Sequence, residues 1–496
     1  MQTIIDKLKT VSYDAVIERG LVFLLIFTPL AMGTVQDWSI AVMETAVLII
    51  FCAWLLKSIR SQAPLEPQAP EFLALKRLLL FFFLIFSGIA IFQIIPLPGP
   101  VLGFISPKSS ALYRSFTDDP PGAWRTISIS RDASIAELFK LLSYALVFMV
   151  IIHHYDTEAK IKALFRTIVY MGCFLAVFAV VQMITGNGRL LWVFPMWPGA
   201  HPMGTYVNKN HFAGYMEMAV PVGLGLFLYT ASRMKGISGH ADVQFAKRVA
   251  SFLDNEKLTT LSFGLVSVVI MTGALFLTLS RSAIAGFMVS MVFFAGMVRT
   301  RRSLRKKWNY IVLIGILIAV SIIASSWGMI ASRFEDVAGG GNFKMDVWND
   351  ATAVIEDFPV LGTGFGTFSR IYPAYQTKYP QWFFDHAEND YLELLTDTGF
   401  TGCAALAGGS AVFLYSLVKR WRKRHNTYVV CAAAGGIASI IAMLIHSITD
   451  FNMRIPANAL LLTVIAAATC ATVFNIQTQR HEKDARQVNA EKADMN

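Results

Sequence analysis

The chain has 496 residues, 55% of them hydrophobic and only 15% charged, with a net charge of +10. Apolar runs of about 18 residues or more recur from Gly20 onwards, too long for soluble core helices, so the composition excludes a soluble protein and indicates a polytopic membrane protein. The positive balance does not point to nucleic acid, because basic residues beside apolar spans set orientation instead; the cysteines (Cys52, Cys173, Cys403, Cys431, Cys470) all fall in apolar runs with no CxxC pair, which argues against a disulfide framework or a zinc site.

The first apolar run follows a basic leader (Lys7, Lys9, Arg19) and lacks a small-residue cleavage site, so it reads as a retained signal anchor. Spans are expected over 20–34, 39–56, 78–95, 136–152, 164–184, 211–230, 258–278, 283–298, 310–330, 391–418, 427–448 and 457–474. The expected fold class is all-α: a polytopic membrane helical bundle of about 12 transmembrane helices with a large exterior loop between spans 9 and 10. Its parts are a membrane bundle over 1–330 (spans 1–9), a large periplasmic loop over 331–390, a membrane bundle over 391–474 (spans 10–12) and a cytoplasmic polar tail over 475–496. The tenth span is long enough to begin outside the hydrocarbon as an ordinary amphipathic helix. "APLEPQAPE" (63–71) is a Pro-rich connector that carries no chemistry.

Charge orients the bundle. The N-terminus, 57–77, 153–163, 231–257, 299–309, 419–426 and the tail carry 29 Lys and Arg, against 12 on the longer set 96–135, 185–210, 279–282, 331–390 and 449–456. The positive-inside rule then expects both termini in the cytoplasm and 331–390 in the periplasm or cell exterior.

The unusual polar residues fall on that exterior side. In the large loop, Gly339, Gly340 and Gly341 form a hinge, and Val347, Trp348, Ala351, Val354 and Ile355 predict an amphipathic helix from Phe343 to Asp357. "PVLGTGFGTF" (359–368) then ends it in a Gly-rich turn; no strand precedes this G-x-G-x-G and no Lys-Ser/Thr follows, so it is not a nucleotide loop. On a helix beginning near Asp385, His386, Asp390, Glu393 and Asp397 share one face, which in lipid must line a wet cavity or meet basic groups. "DTG" (397–399) matches the aspartic-protease signature only as a single copy on a helix. Arg281 sits in a connection of almost no length between two spans, where it either snorkels to lipid headgroups or binds an anion; the positive-inside rule disfavours an arginine there and so favours the anion ligand. Asn208, Lys209, Asn210 and His211 open the sixth span at its exterior mouth, and Arg333, Lys344, Arg370 and Arg454 are further exterior cations suited to phosphate oxygens. Convergent cations beside one acid-flanked histidine, without metal-ligand spacing or a cysteine nucleophile, suit a phosphorylated anion and an imidazole that takes a proton from an attacking hydroxyl. Outside the cytoplasm the natural activated donor is a lipid pyrophosphate rather than a nucleotide.

The stretches "NKNHFAGY", "TLSRSAIAG", "DVWNDATAVIEDFPVLGTGFGTF", "HAENDYLELLTDTGFTG" and "HSITDFNMRIPANALL", in that order between about 204 and 465, resemble the O-antigen ligase/polymerase superfamily of bacterial envelope glycosyltransferases. The resemblance implies a multi-pass enzyme of the bacterial inner membrane that works at the periplasmic face. Its donor would be a glycan on undecaprenyl pyrophosphate and its acceptor a hydroxyl on a glycan or on lipid A core, without metal, cofactor or nucleotide. It implies His386 as general base, oriented by Asp390 or Glu393, and Arg281 as the pyrophosphate ligand. A second family arginine is replaced here by Lys344, with Arg333 and Arg370 as possible substitutes; Lys209, Asn210 and His211 are further candidate substrate-binding residues. Ligation or polymerisation of a surface or exopolysaccharide is favoured; alternatives are a protein O-oligosaccharyltransferase, which shares the donor chemistry, and a twelve-span transporter. The transporter is disfavoured because the largest loop is exterior and late, and an intramembrane protease because Ser280, Ser282 and His446 lack a G-x-S-G elbow.

Overall fold

A computed structural model describes residues 12–60, 69–116, 120, 122–196, 201–233, 256–301 and 343–476. These are all-helical, with no strand among them. In chain order the helices are α1 (Tyr13–Leu30), α2 (Asp37–Arg60), α3 (Pro70–Ile94), α4 (Gly99–Ile105), α5 (Pro107–Phe116), α6 (Arg131–His154), α7 (Glu158–Thr185), α8 (Lys209–Arg233), α9 (Glu256–Leu277), α10 (Arg281–Arg299), α11 (Phe343–Asp357), α12 (Phe368–Ile371), α13 (Asp390–Arg422), α14 (Thr427–His446) and α15 (Pro456–Phe474). Among the described residues 10 helices are long and apolar enough to cross a membrane, and each matches an expected span. The protein is thus a polytopic helical membrane protein. The first expected span differs: α1 starts earlier and carries Asp14, Glu18 and Arg19, and the chain leaves it after Leu30 through positive-φ residues Met32, Gly33 and Thr34. The ninth expected span, Arg333 and the glycine hinge at 339–341 lie outside the described residues.

Sequence explains where α8 sits. It is apolar on all sides and almost wholly buried, the mark of a central helix. It packs chiefly on α14, with α9, α7 and α10 around it. Small residues let α8 and α14 approach closely, as lipid-embedded helices require: a Cβ on Gly435 would stand 2.4 Å from the Pro221 carbonyl oxygen, and one on Gly225 2.6 Å from that of Cys431.

Contacts between connecting segments sort into two ends. At one end Lys57 pairs with Asp14, Arg301 donates to the Trp421 carbonyl at 2.7 Å, Arg420 and Lys423 pair with Glu71, and Asn475 donates to the Ile152 carbonyl. At the other, Thr205 donates to the Pro29 carbonyl, Asn210 to Asp450, and Gln93 to the carbonyls of Leu361 and Asp397. These groupings follow the two sets of segments that charge separates in the sequence.

Helix α13 begins with Asn389 as N-cap, whose Oδ1 accepts from the Tyr391 and Leu392 amides, so the helix starts at Asp390 rather than near Asp385. It breaks at Gly399 (φ 61°), where a Cβ would meet the Val360 carbonyl carbon at 2.4 Å. The Gly-rich turn packs into that break: the Thr363 amide donates to the Thr396 carbonyl, and Phe400 returns a bond to the Pro359 carbonyl. A short amphipathic helix therefore precedes the apolar one. The amphipathic α11 has the bounds its apolar spacing predicts, burying Val347, Ala351, Val354 and Ile355.

Candidate functional site

His386 lies in the extended approach to α13, yet its ring folds back onto the first turn. Its Nδ1 stands 3.0 Å from Glu393 Oε1 and 3.2 Å from Oε2. A carboxylate can only accept, so Nδ1 carries the proton of the neutral ring and Nε2 keeps its lone pair. The ring stacks on Phe451, centroids 4.3 Å apart, and about a quarter of it faces solvent. Burial opposes protonation of this imidazole, but the Glu393 charge and hydrogen bond overcome it and raise the pKa above the ordinary 6.5.

Glu393 is itself buried and fully engaged, accepting from the Ala387 amide at 3.0 Å and from Arg454 Nε at 3.0 Å. Arg454 is the hub of the cluster. Its Nη2 reaches Asp397 at 2.6 Å, its Nη1 lies 3.7 Å from Glu137, and its guanidinium faces the Phe365 ring. Burial would lower the Arg454 pKa, yet Glu393, Asp397 and Glu137 hold it raised. Asp397 also accepts the amides of Gly366 and Thr367, tying the Gly-rich turn to α13. Buried charges are tolerable in this form because each is paired and hydrogen-bonded.

Asp390 does not meet the imidazole. Its Oδ2 accepts from the Met453 amide and its own amide faces the Ser447 and Asp450 carbonyls, so it fixes the 447–453 turn against α13. Of the two acids beside the histidine, Glu393 alone orients the ring.

A second polar group adjoins the first through that turn. Asp450, fully buried, accepts from Asn210 Nδ2 at 2.8 Å and lies 3.5 Å from His211 Nε2, 3.9 Å from His446 Nε2 and 4.0 Å from Lys344 Nζ. Burial alone would raise the Asp450 pKa; His211, His446 and Lys344 hold it well below the usual carboxylate range. Lys344, near the start of α11, pairs with Glu388 at 2.8 Å and donates to the Thr449 carbonyl at 2.7 Å. Glu388 reaches it from a left-handed backbone (φ 55°), a strained conformation for a non-glycine residue. Beneath Asp450, His446 Nδ1 lies 2.9 Å from Glu217 Oε1, both fully buried between α14 and α8. His211 also meets Phe451, edge to face at 4.7 Å, so that ring stands between His386 and His211.

Arg281, the first residue of α10, is exposed and takes part in no hydrogen bond or ion pair among the described residues. Five residues on, a Cβ at Gly286 would lie 3.4 Å from Glu217 Oε2 and 3.5 Å from the His446 amide. Arg281 therefore stands about 7.5 Å along the helix axis above the buried Glu217–His446 pair, at the end that holds the cluster. Lys209 opens α8 at the same end. Arg370 points into solvent from α12 and joins neither group. Among the described residues no group of three or more His, Cys, Asp or Glu is placed to hold a metal ion.

Three partners escape a reading by sequence spacing. Arg454 is visible there only as one exterior cation, while Asp450 and Glu217 carry no signal beyond an acid next to or within an apolar run. An ionisable residue inside a span is the available clue for Glu217.

The fold and the cluster define a class: a multi-pass helical membrane protein with a cluster of buried ion pairs at one end. Residues 266–407 match the family described as O-antigen ligase, from within α9 to within α13, and take in Arg281, Lys344, His386 and Glu393. This match supports the O-antigen ligase/polymerase superfamily and a membrane enzyme of that type. No curated protein matches it. Arg454, Asp450, His446 and Glu217 lie outside the matched segment.

Proposed function

We propose that the protein transfers a glycan from undecaprenyl pyrophosphate to a hydroxyl of a surface or exopolysaccharide acceptor, in the bacterial inner membrane and at its periplasmic face, with both termini cytoplasmic. The observation that carries this reading is the His386–Glu393 pair: a partly exposed imidazole whose Nε2 has no partner among the described residues while a buried carboxylate fixes its other nitrogen. Charge asymmetry between the two ends supports the periplasmic side.

In this mechanism His386 Nε2 takes the proton of the acceptor hydroxyl as its oxygen bonds to the anomeric carbon. The bond from that carbon to the pyrophosphate oxygen breaks, and undecaprenyl pyrophosphate leaves with the electron pair. The leaving group needs no proton; it needs cations, which Arg281 and Lys344 supply. Lys344 enters neutralised by Glu388, so the incoming pyrophosphate competes with that carboxylate. Glu393 stabilises the imidazolium that forms, and Arg454 keeps Glu393 ionised and in place.

The raised pKa of His386 has a definite consequence. A base must be unprotonated, so the acid limb of the rate profile lies above pH 6.5, because the proton is held more tightly than by a free imidazole. In Glu393→Gln the carboxylate that favours the imidazolium is gone, while burial and the Arg454 charge still oppose protonation. The limb of the residual activity moves to lower pH. A limb that stays fixed or moves up would remove the orienting role from Glu393.

Arg281→Lys replaces a planar fork by a point charge at an exposed position. Transfer falls by about 10- to 100-fold, the equivalent of one or two charge-assisted hydrogen bonds, while extraction yield stays normal. Turnover equal to wild type in a release assay for undecaprenyl pyrophosphate would exclude Arg281 from the donor site. The branch of the superfamily is read from a gene deletion: lost attachment of a glycan ladder marks a ligase, collapse to single repeat units marks a polymerase, and an unglycosylated protein marks an oligosaccharyltransferase.

A further inference from the structure

The end of the bundle opposite His386 carries a second polar feature, independent of the transfer reaction. Here the start of α7, the last turn of α8 and the start of α14 enclose a cleft of about 340 Å³ lined by Glu158, Tyr229, Arg233, His425, Asn426 and Tyr428. Arg233 Nη1 donates to Tyr229 Oη at 2.9 Å, and Tyr229 Oη donates to Glu158 at 2.9 Å. Glu158 is thereby occupied by the tyrosine. The cations are in excess: Lys162 Nζ lies 5.0 Å from the Tyr229 ring centroid, Arg233 sits beside the same ring, and Arg166 follows Lys162 by one turn on the same helix face.

Tyr428 supplies a separate indication of a ligand. Its ring meets that of Tyr229 edge to face at 5.2 Å and is 1% exposed, yet its hydroxyl has no hydrogen-bond partner among the described residues. A buried hydroxyl without an acceptor costs free energy. One anionic oxygen in the cleft would satisfy it while meeting the outward N–H groups of Arg233, whose fork spends a single donor on Tyr229. The first turn of α14, with its positive dipole end, faces the same space.

We propose that this cleft binds a phosphate group, most directly that of an anionic phospholipid in the adjoining leaflet. Basic pockets between membrane helices on the positively charged side have the chemistry to hold such head groups. Arg233 and Tyr428 contact the phosphate oxygens, and Lys162 and Arg166 supply the surrounding field.

The full-length protein, stripped of lipid in a neutral detergent, is titrated with phosphatidylglycerol and, in a second arm, with phosphatidylcholine, and lipid-bound species are counted by native mass spectrometry. Phosphatidylglycerol binds saturably and phosphatidylcholine more weakly. Arg233→Gln weakens phosphatidylglycerol binding by about 10-fold or more, and Tyr428→Phe, which keeps the ring, by about 3- to 10-fold. Lys419→Gln, an exposed charge at the same end, leaves it unchanged. Inorganic phosphate forms a third arm: saturable binding of phosphate with the same variant pattern, and none of phosphatidylglycerol, would assign the cleft to a soluble phosphate compound. The proposal is overturned if neither probe binds saturably, or if Lys419→Gln weakens binding as much as Arg233→Gln does, which would mark general surface charge.

Discussion

His386→Ala is expected to lower glycan transfer by roughly 10²- to 10⁴-fold, the span that a positioned general base contributes, while the protein still folds and inserts. The ring is partly exposed and lies before α13 rather than within it, so its loss opens little space in the core. Glu393 keeps two of its partners, the Ala387 amide and Arg454, and is not left as an uncompensated buried charge. Donor binding is therefore near normal, and the fall appears in turnover. The check is a time course of product formation at saturating donor, alongside size-exclusion chromatography of the detergent-extracted variant. Product within a few-fold of wild type would remove the base assignment.

The second large effect concerns stability. Arg454→Met withdraws the only side chain among the described residues that pairs with both Glu393 and Asp397, and leaves both buried carboxylates without that cation. Breaking a buried ion pair from one side costs about 3–5 kcal/mol, seen as a lowered thermal midpoint in detergent and a poor extraction yield. Adding Asp397→Asn recovers part of the loss, because one stranded charge is then neutral. The Gly-rich turn loosens as well, since Asp397 accepts the Gly366 and Thr367 amides. An Arg454→Met protein with an unchanged midpoint would mean that the hub contributes nothing to the fold.

The sequence disclosed those parts of the architecture that depend on burial periodicity and charge. The 15 residues from Phe343 to Asp357 show an apolar stripe, and the helix found there has those bounds. Ten expected spans coincide with long apolar helices because hydrophobic length alone fixes them. The first does not, because Asp14, Glu18 and Arg19 draw α1 outward before the apolar run begins. Gly399 marks where the amphipathic start of α13 gives way to the apolar part, a change of character visible in the sequence but not datable to one residue without the Gly-rich turn that fills the break.

The site was legible in composition and not in pairing. Helical spacing places His386, Asp390, Glu393 and Asp397 on one face, yet the Asn389 cap starts the helix after the histidine and the strained Glu388 turns the chain, so His386 reaches Glu393 by folding back. Which cation answers those acids is a matter of tertiary approach. Arg454 follows Asp397 by 57 residues and arrives through the turn between α14 and α15, while Arg370, nearer in sequence, faces solvent. The Glu217–His446 pair joins α8 to α14 across 229 residues, and spacing cannot foresee such a contact.

The central claim is tested most directly with purified protein in proteoliposomes supplied with an undecaprenyl-pyrophosphate-linked glycan and a polysaccharide acceptor. The account predicts one undecaprenyl pyrophosphate released for each glycan joined to acceptor, without any nucleotide sugar, and loss of both signals together in His386→Ala. A wild-type protein that releases no undecaprenyl pyrophosphate while a nucleotide sugar drives transfer, or a His386→Ala protein with undiminished turnover, would contradict it.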